Sequence, residues 1–220
     1  MKLLLTSAGI TNDSIRNALL DLLGKPIAEA SALCIPTAIY PFPGGPEMAY
    51  RFISGLAANP MCALGWKSLG VLELTALPSI QAEVWTAAVR ETDTLLVYGG
   101  DVHYLCRWMR DSGLAGLLPS LHETVYVGMS AGSMVTAPIF GETYDDPQTP
   151  FVIAEGLGMV DFALLPHLDH ADHPESSTAK VASMAAALPV PTYAIDDESA
   201  VKVVDGAIEV VSEGHWKQFQ

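Results

Sequence analysis

The chain has 220 residues, half of them hydrophobic and 16% charged, enough for one well-packed domain and too apolar for a disordered chain. Eleven basic against 25 acidic residues leave a formal charge of −14, a field that repels phosphate backbones and anionic membrane surfaces, so neither nucleic acid nor membrane is an expected partner. Three scattered cysteines, the lack of a long apolar run and an early glycine in the N-terminal stretch argue against a cysteine metal site, a membrane span and a signal peptide; a cytoplasmic location is expected.

Leu3 to Thr6 is a short apolar run ended by Ser7-Ala8-Gly9 and reads as a buried first strand. Asn12 or Asp13 can cap a helix whose apolar positions Ile15, Leu19, Leu22 and Leu23 recur at helical spacing. Ala32 to Ile35 reads as a second strand, and Pro46 to Ala57 as a helix behind a loop rich in proline and glycine. Leu69 to Leu74 (strand), Ser79 to Arg90 (helix) and Thr94 to Tyr98 (strand) follow, the last ending on Gly99-Gly100. Asp101 to Arg110 and Ala115 to His122 are helical in pattern and lead to a strand that begins at Val125. Such alternation implies parallel strands joined by right-handed crossovers.

Beyond this point the pattern changes. Phe140 to Pro150 is polar and turn-rich, Leu157 to Leu165 leads into Pro166-His167, and Thr178 to Leu188 reads as a helix. Thr192 to Ile195, Ala200 to Val204 and Ile208 to Val211 are short strands, with Asp205-Gly206 as the hairpin turn between the last two. The expected fold is therefore a single α/β domain over residues 1–220. It has a mostly parallel sheet with helices on both faces and an antiparallel C-terminal edge.

The chemistry gathers at Val125-Tyr126-Val127-Gly128-Met129-Ser130-Ala131-Gly132-Ser133. A strand running into Gly-x-Ser-x-Gly and then a helix-compatible segment is the pattern of a nucleophile elbow, which lifts a serine oxygen out of the backbone. Glycines flank Ser130 because a side chain at either position would collide with a neighbouring strand or helix. A serine needs a base to take its proton, and the base needs a third group to orient it. Of the six histidines, His167 stands at a strand end, where α/β sheets present functional side chains. His103 lies near the start of a helix, and His122 and His215 fall in surface positions.

The elbow, Tyr98-Gly99-Gly100-Asp101, Leu165-Pro166-His167 and the acidic stretch Ala194 to Ala200 resemble the dipeptidase E (aspartyl dipeptidase) family of serine peptidases, to which the cyanophycinases are related. The resemblance implies a class I glutamine amidotransferase-like α/β fold, a small peptide substrate and neither metal nor organic cofactor. It matches Ser130 to the nucleophile, His167 to the base, and the Ala131 N–H with one from Gly99 or Gly100 to the oxyanion hole. Asp145 is the position that matches the third triad member, with Asp146 beside it and Asp169 a further candidate. Met129 and Asp101 are the candidate substrate contacts. The chain has Asp101 where the family commonly has asparagine, and between His167 and Lys202 its sole cation is Lys180. Hydrolysis of short peptides is the expected activity, with preference for an N-terminal aspartate the family's version of it.

Three rivals are open. His167-Leu168-Asp169-His170-Ala171-Asp172-His173 has a composition that could hold a divalent metal. An ordinary α/β-hydrolase esterase shares the Ser, Asp, His order, although His167 follows Ser130 too closely for its usual intervening units. A catalytically inactive member of the same fold could act as a binding module. Asp196-Asp197-Glu198 reads as a solvated turn before a strand, with a contact to the substrate amine as its functional alternative.

Overall fold

The computed structural model describes residues 1–58, 61–143 and 151–220. Strands β1 (Lys2–Thr6), β2 (Ser31–Ile35), β3 (Ser68–Val71), β4 (Thr94–Val97) and β5 (Val125–Met129) are parallel neighbours in the order β1-β5-β4-β2-β3. The outer side of β1 is covered by β10 (Ser199–Val204), antiparallel to it, and β11 (Ala207–Ser212) pairs antiparallel with β10. Asp205-Gly206, both at positive φ, closes that hairpin. The expected mostly parallel sheet with an antiparallel C-terminal edge is what the chain forms.

Alternation along each strand sends side chains to two cores. Leu3, Leu5, Leu95, Val97 and Tyr126 point to one, while Leu4, Leu96, Val125 and Val127 point to the other. The second core is covered by α1 (Asp13–Leu23), capped by the Asn12 side chain, and by Phe52 of α2 (Gly45–Ile53). The first is covered by α3 (Ala82–Glu91), α4 (Val102–Asp111), α5 (Leu114–Leu117) and α6 (Ala131–Met134). The α2 helix stops at Ile53 because Ser54 and Gly55 turn the chain, short of the expected Ala57. Ala115 to His122 is one turn of α5 followed by a 3-10 turn at Leu118–Ser120, where Pro119 stops an α-helix from continuing.

Two smaller sheets lie beyond the elbow. Strands β6 (Ile139–Glu142) and β7 (Val152–Glu155) form an antiparallel pair, so the stretch read as turn-rich begins with a strand. Strand β8 (Ala163–Leu165) runs parallel to β9 (Thr192–Ile195), and β12 (Trp216–Phe219) pairs antiparallel on the other side of β9. Helix α7 (Thr178–Ala187) packs Val181 and Ala185 against Leu165, Leu168 and Ala194 of this sheet. The sequence pattern does not predict β12, because Lys217-Gln218 breaks up its two aromatic residues and the strand is largely exposed.

This topology brings several strand ends to one place. Thr6 of β1 lies opposite Met129 of β5 and opposite Ala200 of β10. Leu165 of β8 lies opposite Ala194 of β9. The residues just past these ends are Ser7, Ser130, His167 and the turn Asp196-Asp197-Glu198.

Candidate active site

Ser130 sits at φ 50 and ψ −115, between β5 and α6. A non-glycine residue there is strained by about 1–3 kcal/mol, and the surroundings must hold it. Hydrogen bonds to both sides do so. Ser130 N–H donates to the Thr6 carbonyl at 3.1 Å, the Ser133 hydroxyl donates to the same oxygen at 2.8 Å, and the buried Tyr126 hydroxyl donates to the Gly132 carbonyl at 2.6 Å. The flanking glycines answer to sterics. A Cβ on Gly128 would lie 2.6 Å from the Gly132 carbonyl oxygen, and one on Gly132 would lie 2.3 Å from the Val97 carbonyl oxygen. At Gly128 strand β5 meets α6, and at Gly132 α6 meets β4, with no room for a side chain at either point.

The Ser130 hydroxyl lies 3.0 Å from His167 Nε2. His167, itself at φ 60, follows β8 through Pro166, and its backbone N–H donates to the Ser7 Oγ at 2.8 Å. The other ring nitrogen, Nδ1, is 2.8 Å from Asp197 Oδ1, and the Ser7 hydroxyl donates to that same oxygen at 2.7 Å. The Asp197 carbonyl accepts from the Thr11 hydroxyl at 2.8 Å, which ties the turn to the segment before α1. Burial pushes the Asp197 carboxyl up, yet hydrogen bonds from His167 and Ser7 and the nearby charges of His167 and His170 outweigh it. The net shift is below the ordinary carboxylate value. A carboxylate against Nδ1 keeps the proton there and leaves Nε2 free to accept from Ser130.

The acidic turn read as solvated therefore supplies the acceptor for His167. The Asp197 side chain is only 26% exposed. Asp145 and Asp146, the positions the resemblance favoured, lie outside the described residues. Asp169 is not at His167 Nδ1; it caps α7 through the Thr178 N–H and hydroxyl, both at 2.6 Å, and contacts His215 Nε2 at 3.2 Å. One signal for Asp197 was available. It follows a strand end, as His167 does, and the rule that singled out His167 applies equally to it. Ser7, also just past a strand, carries the same signal.

Of the remaining candidates, Gly100 and Asp101 line a cleft of about 670 Å³ that also contains Ser130 and His167. Asp101 additionally caps α4, accepting from the Tyr104 N–H at 2.8 Å. Gly99 lies behind Ser130, where a Cβ would come 3.2 Å from the serine Cβ. Ala131 is buried as the first residue of α6, where a backbone N–H has no acceptor within its own helix. Met129 does not line the cleft. Being the residue before the elbow serine, its side chain alternates to the opposite face and packs on the α1 core, with its methyl near Gly99. As for the run of histidines, His173 stacks on His167 with ring centroids 4.3 Å apart and pairs with Glu175 at 2.9 Å, while His170 Nε2 lies 3.6 Å from Asp197 Oδ2. Among the described residues no group of three or more His, Cys, Asp or Glu is arranged to hold a metal ion. No helix is long and apolar enough to cross a membrane, among the same residues.

The family model described as peptidase family S51 matches residues 3–211. A crystal structure of a protein provisionally named peptidase E, from Listeria monocytogenes EGD-e, superposes with a TM-score of 0.67 at 20% identity, covering 97% of this chain and 98% of that one. A peptidase from an acI-B1 actinobacterium superposes with a TM-score of 0.68 at 18% identity, covering 99% of this chain and 93% of that one. At these identities the two structures establish the shared fold. No curated protein matches the chain.

Proposed function

Because the chain belongs to peptidase family S51, we propose that it is a serine peptidase that hydrolyses short peptides with Ser130 as nucleophile, His167 as general base and Asp197 as the group that orients the base. The observation that carries this reading is the continuous set of bonds from Ser130 Oγ to His167 Nε2 at 3.0 Å and from His167 Nδ1 to Asp197 Oδ1 at 2.8 Å. In it, Ser130 attacks the scissile carbonyl while Nε2 takes the hydroxyl proton. The imidazolium that forms is stabilised by the Asp197 carboxylate and returns its proton to the amine as the C–N bond breaks; water, giving its proton to His167, then hydrolyses the acyl-enzyme and frees Ser130. The Ala131 N–H, with that of Gly99 or Gly100, receives the negative charge on the tetrahedral oxygen.

Ser7 acts here as a positioning residue, since its hydroxyl bonds both the His167 backbone and the Asp197 carboxylate. The size of the cleft suits a peptide of a few residues, and preference for such peptides over folded proteins is part of the proposal. Purified protein should release amino acids from dipeptides, and Ser130→Ala should lower turnover by several powers of ten while leaving the thermal unfolding curve intact. Turnover that survives Ser130→Ala would remove the nucleophile assignment. Digestion of a protein such as casein by the wild type would contradict the limit on substrate size.

A further inference from the structure

Resting on the reading of the cleft as a peptidase site, we propose that the side chain it recognises is apolar and that acidic side chains are turned away. One wall is built from Pro41, Phe42 and Met48 with the buried Ile39 behind them, and Met184 contributes further apolar surface beside the buried Leu165. Phe42 and Met48 are 43% and 38% exposed, so this wall presents large apolar side chains to solvent beside the reactive serine. Apolar surface left open in a concave site gains by taking an apolar group out of water.

Charge works in the same direction. Among the described residues, the side chains lining the cleft include the carboxyls of Asp101, Glu142 and Glu175 and no lysine or arginine. Residues 59–60 and 144–150 contain neither cation in their sequence. Lys180 stands one turn before Met184 on α7, exposed and outside the lining. The two histidines of the cleft each face a carboxylate already, His167 that of Asp197 and His173 that of Glu175. An aspartate or glutamate side chain entering here would give up hydration for a site with no cation to receive it, among like charges and within a chain of net charge −14. Asparagine has nearly the shape of aspartate without its charge, and leucine offers the apolar group, so three dipeptides separate the two effects.

The test measures kcat/KM of the wild type for Leu-Leu, Asn-Leu and Asp-Leu at neutral pH, and the affinity of Ser130→Ala for the same three by calorimetry. The expected order in both is Leu-Leu, Asn-Leu, Asp-Leu, with at least tenfold between the first and last. Asp-Leu bound or cleaved as well as Asn-Leu overturns the charge argument. Asn-Leu equal to Leu-Leu overturns the apolar one. Binding of none of the three to Ser130→Ala at millimolar concentration overturns the proposal as a whole. The expected order of affinities without turnover by the wild type would uphold this specificity and remove the peptidase reading instead. As a converse, Met184→Lys should raise Asp-Leu relative to Asn-Leu at least fivefold, and no gain counts against the absence of a cation as the cause.

Discussion

Asp197→Asn keeps the volume of the side chain and removes its charge, so it isolates what the carboxylate does for His167. The carboxylate oxygen Oδ1 faces His167 Nδ1 at 2.8 Å and the Ser7 hydroxyl at 2.7 Å, both as donors. An amide turned to keep the Ser7 bond through its oxygen holds His167 less firmly. Turned the other way, it presents N–H to Nδ1 and forces the proton onto Nε2, where it faces Ser130 and the base is lost. For the equivalent change in a serine protease triad the loss in kcat is about 10⁴-fold, equivalent to about 5.5 kcal/mol in the barrier, and a fall of that order is expected here. Replacing charge-assisted bonds by neutral ones should also cost about 1–2 kcal/mol of stability, or roughly 2–8 °C in Tm for a chain of this size. The sign with pH follows from the lowered carboxyl. A group that titrates lower in the folded than in the unfolded state stabilises above its unfolded value of about 4, and that contribution is lost as pH falls through the lower folded value. The Tm gap between wild type and Asp197→Asn should therefore be full at pH 7 and close as the pH drops below about 4. Steady-state kinetics and calorimetry on Asp197→Asn and Asp145→Asn decide the matter. If Asp197→Asn stays within tenfold of wild type while Asp145→Asn loses turnover, the orienting role belongs elsewhere.

Ser7→Ala removes one donor to Asp197 and the acceptor of the His167 backbone N–H, and should lower kcat about 10- to 100-fold with little change in KM. A rise in KM at constant kcat would instead make Ser7 a binding residue. Gly128→Ala sets a Cβ 2.6 Å from a backbone carbonyl that the α6 turn cannot easily move. Denaturant unfolding should show a loss of about 2–4 kcal/mol, and a loss under about 0.5 kcal/mol would mean the elbow yields more freely than its packing implies.

Much of this molecule was determined by local sequence. Apolar runs such as Leu3-Leu4-Leu5 and Leu95-Leu96-Val97 alternate with helices whose caps and spacing are legible, and such units close into a parallel sheet in few ways. The elbow was legible for the same reason. Its two glycines and serine are neighbours in the chain, and the steric demands on Gly128 and Gly132 arise within one strand–turn–helix unit and the adjoining strand. Helix ends were less so, since α2 and α5 stop where a turn or a proline outweighs propensity.

The partner of His167 was decided by tertiary structure. Asp197 is 30 residues from His167, and although each follows a strand end, nothing in the sequence says that those two ends meet. It becomes the acceptor because β9 lies parallel to β8 in a register that pairs Ala194 with Leu165, so the chain leaves both strands at the same level. Likewise Ser7 reaches Asp197 only because β10 pairs antiparallel with β1, and reaches the elbow only because β5 pairs parallel with it. Strand order and register are set by which faces bury together across the whole sheet, and no local pattern carries that information. The same holds for the cleft. Its apolar wall and, among the described residues, its lack of a lysine or arginine come from segments as far apart as Ile39 and Met184, gathered by packing alone.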